Sequence, residues 1–337
     1  MTAKTAQAKK IAKIELHQHL DGSIPAAVTW RIMKRYGLNP VESLGEMRKL
    51  LQLQPEEEGS LLSYLDKFHY PMWITQFYEN IVEVTLAVVA SAAKDGVKLI
   101  ELRYSPMIHV YAGLTVRQAI RSVLAGLNQA KEKYGIEVGL IVIAMRQHGP
   151  HVAKILARAA VSESQWLHDR TGVIGFDIAG AERGNPPSLF SKAYDIARKG
   201  GLGLTAHAGE DEGPGYIWQA IDDLGCTRIG HGCSAIADKE LLRRMRRDRI
   251  LVECAPTSNY QTGAVAKGER HPIFIFLEND VPVALCTDNT TVSNTSHSRE
   301  SAFFWDELGA TTIRGIHQQA RQHSFIGKGH PPLNGPS

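Results

Sequence analysis

Eight short runs of aliphatic and β-branched residues recur along the chain, and each ends in polar or glycine-rich residues. They are IELHQH (14–19), VKLIELRYSP (97–106), VGLIVIAM (138–145), VIGFDIAG (173–180), GLTAHAGE (203–210), RIGHG (228–232), ILVECAPTSN (250–259) and VPVALCTDN (281–289). Several are continuous Val/Ile/Leu runs, a pattern that suits parallel strands buried on both faces. Between them the apolar spacing changes to three and four. Residues 115–134 and 187–199 read as amphipathic helices, with Gly135 and Gly200 where helix stops belong. Eight such alternations predict an α/β fold of the (β/α)8 TIM-barrel type, with a doubly wound sheet as the next choice.

The connection after the first strand, residues 20–96, is far longer than the others. It carries three helical patterns, 25–36, 61–68 and 72–93, and such an insertion lies over the C-terminal mouth of a barrel, where active sites are built. The segment LLSYLDKFHYPMW (61–73) reads either as a water-excluding lid or as ordinary packing on the barrel. No internal repeat interrupts the pattern. One domain over 11–325 is expected, between a disordered N-terminal tail (1–10) and a flexible C-terminal tail (326–337).

Composition narrows the class. The chain has 337 residues, 43% of them hydrophobic, and 38 basic residues against 35 acidic ones give a formal net charge of +3. That balance gives no reason to expect a nucleic-acid or membrane partner. The one dense basic run, RRMRRDR (243–249), sits in a helical pattern and reads as a solvated face. The first residues, MTAKTAQAKK, lack the apolar core of a signal peptide, and no segment approaches 18 uncharged apolar residues. Cys226, Cys233, Cys254 and Cys286 form no C-x-x-C pair and are expected as free thiols in a cytoplasmic protein.

The strand ends carry the chemistry. On a strand, His17 and His19 point to the same side. The fifth strand ends in His207 with Glu210 beyond it, the sixth in His231, and the eighth in Asp288 followed by Asn289. In a barrel these ends converge, and three imidazoles with one carboxylate suit a divalent ion such as Zn²⁺ with room for a water, leaving one histidine over. Each residue alone has an ordinary explanation, as a bonded core histidine or a helix cap. Together at one end of one barrel they predict a metal site. A metal-lowered water needs a base, for which His231 and Asp288 are the candidates, while Glu210 is free to donate a proton to the substrate.

The set HQHLDGS, ELRYSP, GFDIAG, HAGE, GHG, TSNYQTGA and TDN, in this order and over about residues 11–325, resembles the adenosine deaminases of the amidohydrolase superfamily. The resemblance implies hydrolytic deamination of a 6-aminopurine nucleoside, adenosine or 2′-deoxyadenosine, to inosine or 2′-deoxyinosine and ammonia. It places the metal ligands at His17, His19, His207 and Asp288, the proton donor at Glu210, the water-orienting base at His231, a purine contact at Gly180 and a sugar contact at Asp21. VIGFDIAG lacks the lysine that bridges two metals in related hydrolases, so one ion, zinc or else iron, is expected. Relatives that act on free adenine typically carry Glu in place of Asp21. Two departures affect substrate selection: Asn289 stands where many relatives have a second aspartate, and Ala181 where many have aspartate after the glycine. A 5′-modified adenosine, such as aminodeoxyfutalosine or methylthioadenosine, is the alternative substrate, and a catalytically inactive nucleoside-binding protein is the alternative from another class.

Overall fold

The computed structural model describes residues 2–164 and 170–327. Eight parallel strands follow one another around a single sheet in chain order: β1 Lys13–His19, β2 Val97–Tyr104, β3 Glu137–Met145, β4 Val173–Ala179, β5 Gly203–Ala208, β6 Arg228–His231, β7 Leu251–Cys254 and β8 Val283–Leu285. The ring closes just past β8. There the Asp288 amide donates to the His17 carbonyl at 2.8 Å and the His19 amide to the Asp288 carbonyl at 2.7 Å. An open doubly wound sheet is excluded by this order and closure.

Helices cover the outside. After a short N-terminal helix, α1 Ala3–Ala8, the long first connection holds α2 Ala26–Arg35, α3 Leu44–Leu51, α4 Leu61–Asp66, α5 His69–Ile74 and α6 Tyr78–Lys94. The barrel helices proper are α7 Val116–Tyr134, α8 Gly149–Ser162, α9 Ser191–Lys199, α10 Pro214–Asp222 and α11 Lys239–Arg247. Then come α12 Pro256–Thr262, α13 Ile273–Glu278, α14 His297–Phe303 and α15 Trp305–His323. The main apolar core lies between the strands and this shell, with Ile100, Leu102, Leu140, Val142 and Ile178 facing Val84, Val88, Leu124 and Leu156. α7 shows how local chemistry sets a boundary: Thr115 and Gln118 form a reciprocal capping box at its start, and Gly135, at φ 61°, ends it in the left-handed conformation.

Several boundaries differ from the expectation. The helix expected over 72–93 is two helices, α5 and α6, separated at Thr75–Phe77 where Phe77 is extended. α3 was not foreseen, although Ser43 and Glu46 supply its capping box. The seventh run stops as a strand at Cys254, because Pro256 opens α12. The N-terminal tail carries α1, which packs on α14 with Ala8 buried and Lys4 paired to Asp306. Of the expected C-terminal tail, residues 328–337 lie outside the described residues. Four of the five arginines of the basic run form ion pairs, Arg243 with Glu240, Arg244 with Asp222 and Asp248, Arg246 with Asp280 and Arg247 with Asp248. All four cysteines are buried and free. Among the described residues no helix is long and apolar enough to cross a membrane.

Candidate metal centre and active site

His17, His19, His207 and Asp288 meet at the C-terminal mouth of the barrel, each offering one ligand atom within 4.8 Å of the others. His19 Nε2 lies 3.3 Å from His17 Nε2 and 3.1 Å from His207 Nε2, and Asp288 Oδ1 lies 3.5 Å from His17 Nε2 and 3.3 Å from His19 Nε2. A tetrahedron with bonds of about 2.1 Å has edges of about 3.4 Å, so these spacings fit one zinc-sized ion. The proton positions point the same way. His17 Nδ1 faces Glu253 Oε2 at 2.8 Å and His207 Nδ1 faces Asp177 Oδ2 at 3.0 Å, so both rings carry their proton on Nδ1 and turn an Nε2 lone pair into the cluster. Lone pairs this close repel one another unless a cation lies between them. Among the described residues this is the one cluster of its kind.

The barrel lumen holds these four side chains in place. Arg103 bridges Asp177 (2.9 Å) and Glu253 (2.8 Å), and Arg228 joins Glu253 (2.7 Å) to Glu101 (2.6 Å). Glu15 accepts from the His17 amide at 2.8 Å and from the Thr287 hydroxyl at 2.7 Å, tying β1 to the turn that carries Asp288. Ser258 donates to Asp288 Oδ2 at 2.6 Å. Gly230 leaves room for the His17 ring, since a Cβ there would lie 3.0 Å from its Cε1. Two of the residues at the mouth, His231 (φ 63°) and Asp288 (φ 58°), hold left-handed backbone, an unfavourable state for non-glycine residues that the surrounding bonds sustain.

Beside the cluster opens a cavity of about 870 Å³, mouth included. It brings Asp21, Gly180, Glu210, His231 and Asn289 to the same space as His19, His207 and Asp288. Burial, and then the Asp288 charge, push the Glu210 carboxyl up to about 7, and Glu210 Oε2 lies 3.5 Å from His231 Nε2. Burial lowers His231 to about 4. Asp21 is pushed up to about 6, again by burial, and its Oδ1 has no protein partner; nor has Asn289 Oδ1. Both are buried acceptors on residues that line a ligand-sized space. Leu61, Leu65, Phe68 and Met72 wall the side made by α4, α5 and the turn between them, and Tyr64 of α4 bonds Ser293 at 2.7 Å. Ala181 lies outside this cavity, in an adjoining cleft with Leu62 and Arg183.

Sequence reasoning passed over Glu15, Arg103, Asp177 and Glu253. A signal was present: each is a charged residue in the middle of an apolar strand, a position that needs a partner inside the barrel. Asn259, which bonds His231 Nδ1 at 2.9 Å, was also missed.

The sequence model of the adenosine deaminase family matches residues 12–330. The chain belongs to the adenosine deaminase family. An adenosine deaminase of Clostridium kluyveri is 34% identical over 328 residues, covering 95% of this chain and 92% of that protein. Two solved structures share the whole fold. An adenine deaminase from Arthrobacter aurescens has a TM-score of 0.86 at 25% identity, over 94% of this chain and 95% of that one. An Arabidopsis N6-mAMP deaminase has a TM-score of 0.83 at 26% identity, over 96% of both chains. The family is one of metal-dependent hydrolytic deaminases, which agrees with the donor set at the barrel mouth.

Proposed function

We propose that this chain hydrolyses the 6-amino group of adenosine and 2′-deoxyadenosine, releasing ammonia and the corresponding inosine. The observation that carries the reading is the placement of Glu210, whose carboxyl is pushed up to about 7, in one cavity with the three-histidine, one-aspartate cluster. His17, His19, His207 and Asp288 would hold one Zn²⁺, iron being the other ion of suitable chemistry. The ion supplies a water made acidic enough to be a nucleophile near neutral pH.

The chain's own groups do the rest. Glu210 gives its proton to N1 of the purine, which makes C6 electron-poor; the water oxygen bonds to C6 as the C6–N bond breaks, and of that water's two protons one goes to the amino group, which leaves as ammonia, and one returns to Glu210. His231 and Asp288 stand at the nucleophile's side of the cavity. Gly180, at φ 93°, presents backbone to the ring edge with no side chain in the way. The Asn289 amide can donate to an unprotonated ring nitrogen, which an ionised carboxylate cannot. Asp21 accepts a hydrogen bond from a ribose hydroxyl.

Nucleosides are favoured over nucleotides because, among the described residues, no lysine or arginine lines the cavity. Its apolar wall, including Phe68 and Met72, leaves an adenosine with a small apolar 5′ group as the second reading. Four buried free thiols support a cytoplasmic location. Purified protein of measured metal content, given adenosine, should release one ammonia for each adenosine lost; no turnover by metal-replete protein would refute the proposal.

A further inference from the structure

His231 is reached from behind by a chain of hydrogen bonds that begins at a backbone amide. The Ile273 N–H donates to His271 Nδ1 at 3.1 Å. His271 Nε2 meets Asn259 Oδ1 at 3.1 Å, and Asn259 Nδ2 meets His231 Nδ1 at 2.9 Å. All three side chains are buried, so no solvent competes for these bonds.

A backbone N–H can only donate, and this fixes everything downstream. With Nδ1 accepting, His271 carries its proton on Nε2, and burial, which lowers this ring to about 3, keeps it neutral. An Nε2–H must face an acceptor, so the Asn259 oxygen turns to His271 and its NH₂ to His231. His231 Nδ1 then accepts. A neutral imidazole has one N–H, and for His231 it is on Nε2, the atom that faces the cavity 3.5 Å from Glu210.

We infer that Asn259 and His271 are positioning residues that hold His231 as the Nε2–H tautomer, so that the ring presents a donor, and no lone pair, to the attacking oxygen. The Nε2–H of His231 meets charge developing on the oxygen during attack, the arrangement in which a fixed donor contributes most. The kinetic part of this inference rests on the deaminase reading; the tautomer does not.

The experiment combines a spectrum with a set of variants. In long-range ¹H–¹⁵N correlation spectra of zinc-loaded protein labelled at histidine, with His231→Asn for assignment, the His231 pattern should be that of the Nε2–H form. Asn259→Asp replaces the donor by an acceptor of the same shape. It should move the proton to Nδ1, leave zinc bound, and lower kcat by roughly a hundredfold or more with KM changed little. His271→Gln keeps a donor to Asn259 and should stay within about threefold of wild type, whereas His271→Leu frees the amide to turn and should lose about tenfold. A proton on Nδ1 in wild type overturns the inference, as do equal losses in the two His271 variants. If wild type turns over no 6-aminopurine while its spectrum shows Nε2–H, the function is wrong and the relay stands.

Discussion

Glu253 Oε2 lies 2.8 Å from His17 Nδ1, so a ring whose Nε2 turns into the four-residue cluster is aimed from the opposite side by an anion buried in the barrel lumen. The same carboxylate is held by Arg103 and Arg228, and through Arg103 it is coupled to Asp177, which holds His207. Two candidate ligands on opposite sides of the barrel thus depend on one charged network. This explains why a barrel interior that could be filled with aliphatic side chains is filled with ions.

Glu253→Gln should weaken zinc binding by about 10- to 100-fold, because the amide neither fixes the His17 tautomer nor raises its basicity. It also leaves two buried guanidinium groups short of an anion, so the melting temperature should fall in the apo-protein as well. Competition with a chromophoric chelator and a thermal melt separate the two effects.

Removing a ligand should act more severely. Alanine at His17, His19, His207 or Asp288 should cut the metal content of purified protein from near one per chain towards zero, with activity lost in proportion. Elemental analysis is the check. Two tightly held ions in active wild type would contradict a single four-ligand site.

Glu210→Gln should retain the metal and still bind nucleoside, yet lose about 10²- to 10⁴-fold in kcat, since the amide fills the same space without a proton to deliver. Inhibitor binding and metal analysis on the variant distinguish this from a collapsed site. Near-normal turnover would remove Glu210 from the reaction.

At the sugar end, Asp21→Ala should lower kcat/KM for adenosine by one to two powers of ten, from loss of a charge-assisted hydrogen bond worth roughly 1.5–3 kcal/mol. Metal content should not change. Steady-state kinetics with adenosine before and after the substitution decide the matter.

Glu300 should contribute a stability that falls as pH rises from about 5 to 8. Its carboxyl is buried against Thr257 and Thr295, and burial raises it from 4.5 to about 7. The folded state therefore binds this proton more tightly than the unfolded chain does. The contribution is whole below pH 4.5 and is lost as pH passes through 7, about 3 kcal/mol at most. Glu300→Gln should flatten this part of the curve, as read from urea midpoints across that range.

Much of this was legible in the sequence because a barrel puts one end of every strand to use. His17 and His19 end β1, His207 lies in β5, His231 ends β6, and Asp288 follows β8, so counting strands also found the residues that the fold gathers at its mouth. The first connection was less legible. Its helices rest on one another and on the mouth, so the apolar spacing of 72–93 continued through the break at Thr75–Phe77. The short α12 was hidden inside an apparent strand, with only Pro256 to mark it. The lumen network was harder still. Glu15, Arg103 and Glu253 are far apart in the chain, and only closure of the ring shows that each has a partner.

The central claim, deamination of a nucleoside at one metal site, is tested most directly by ammonia release from a panel of adenosine, 2′-deoxyadenosine, 5′-methylthioadenosine, AMP and free adenine. The protein should carry one equivalent of zinc. Adenosine and 2′-deoxyadenosine should show the highest kcat/KM, and adenine and AMP should be poor, the first for want of a hydroxyl to meet Asp21 and the second for want of a cation in the cavity. A preference for adenine or AMP, or no ammonia from any member of the panel, would contradict the account.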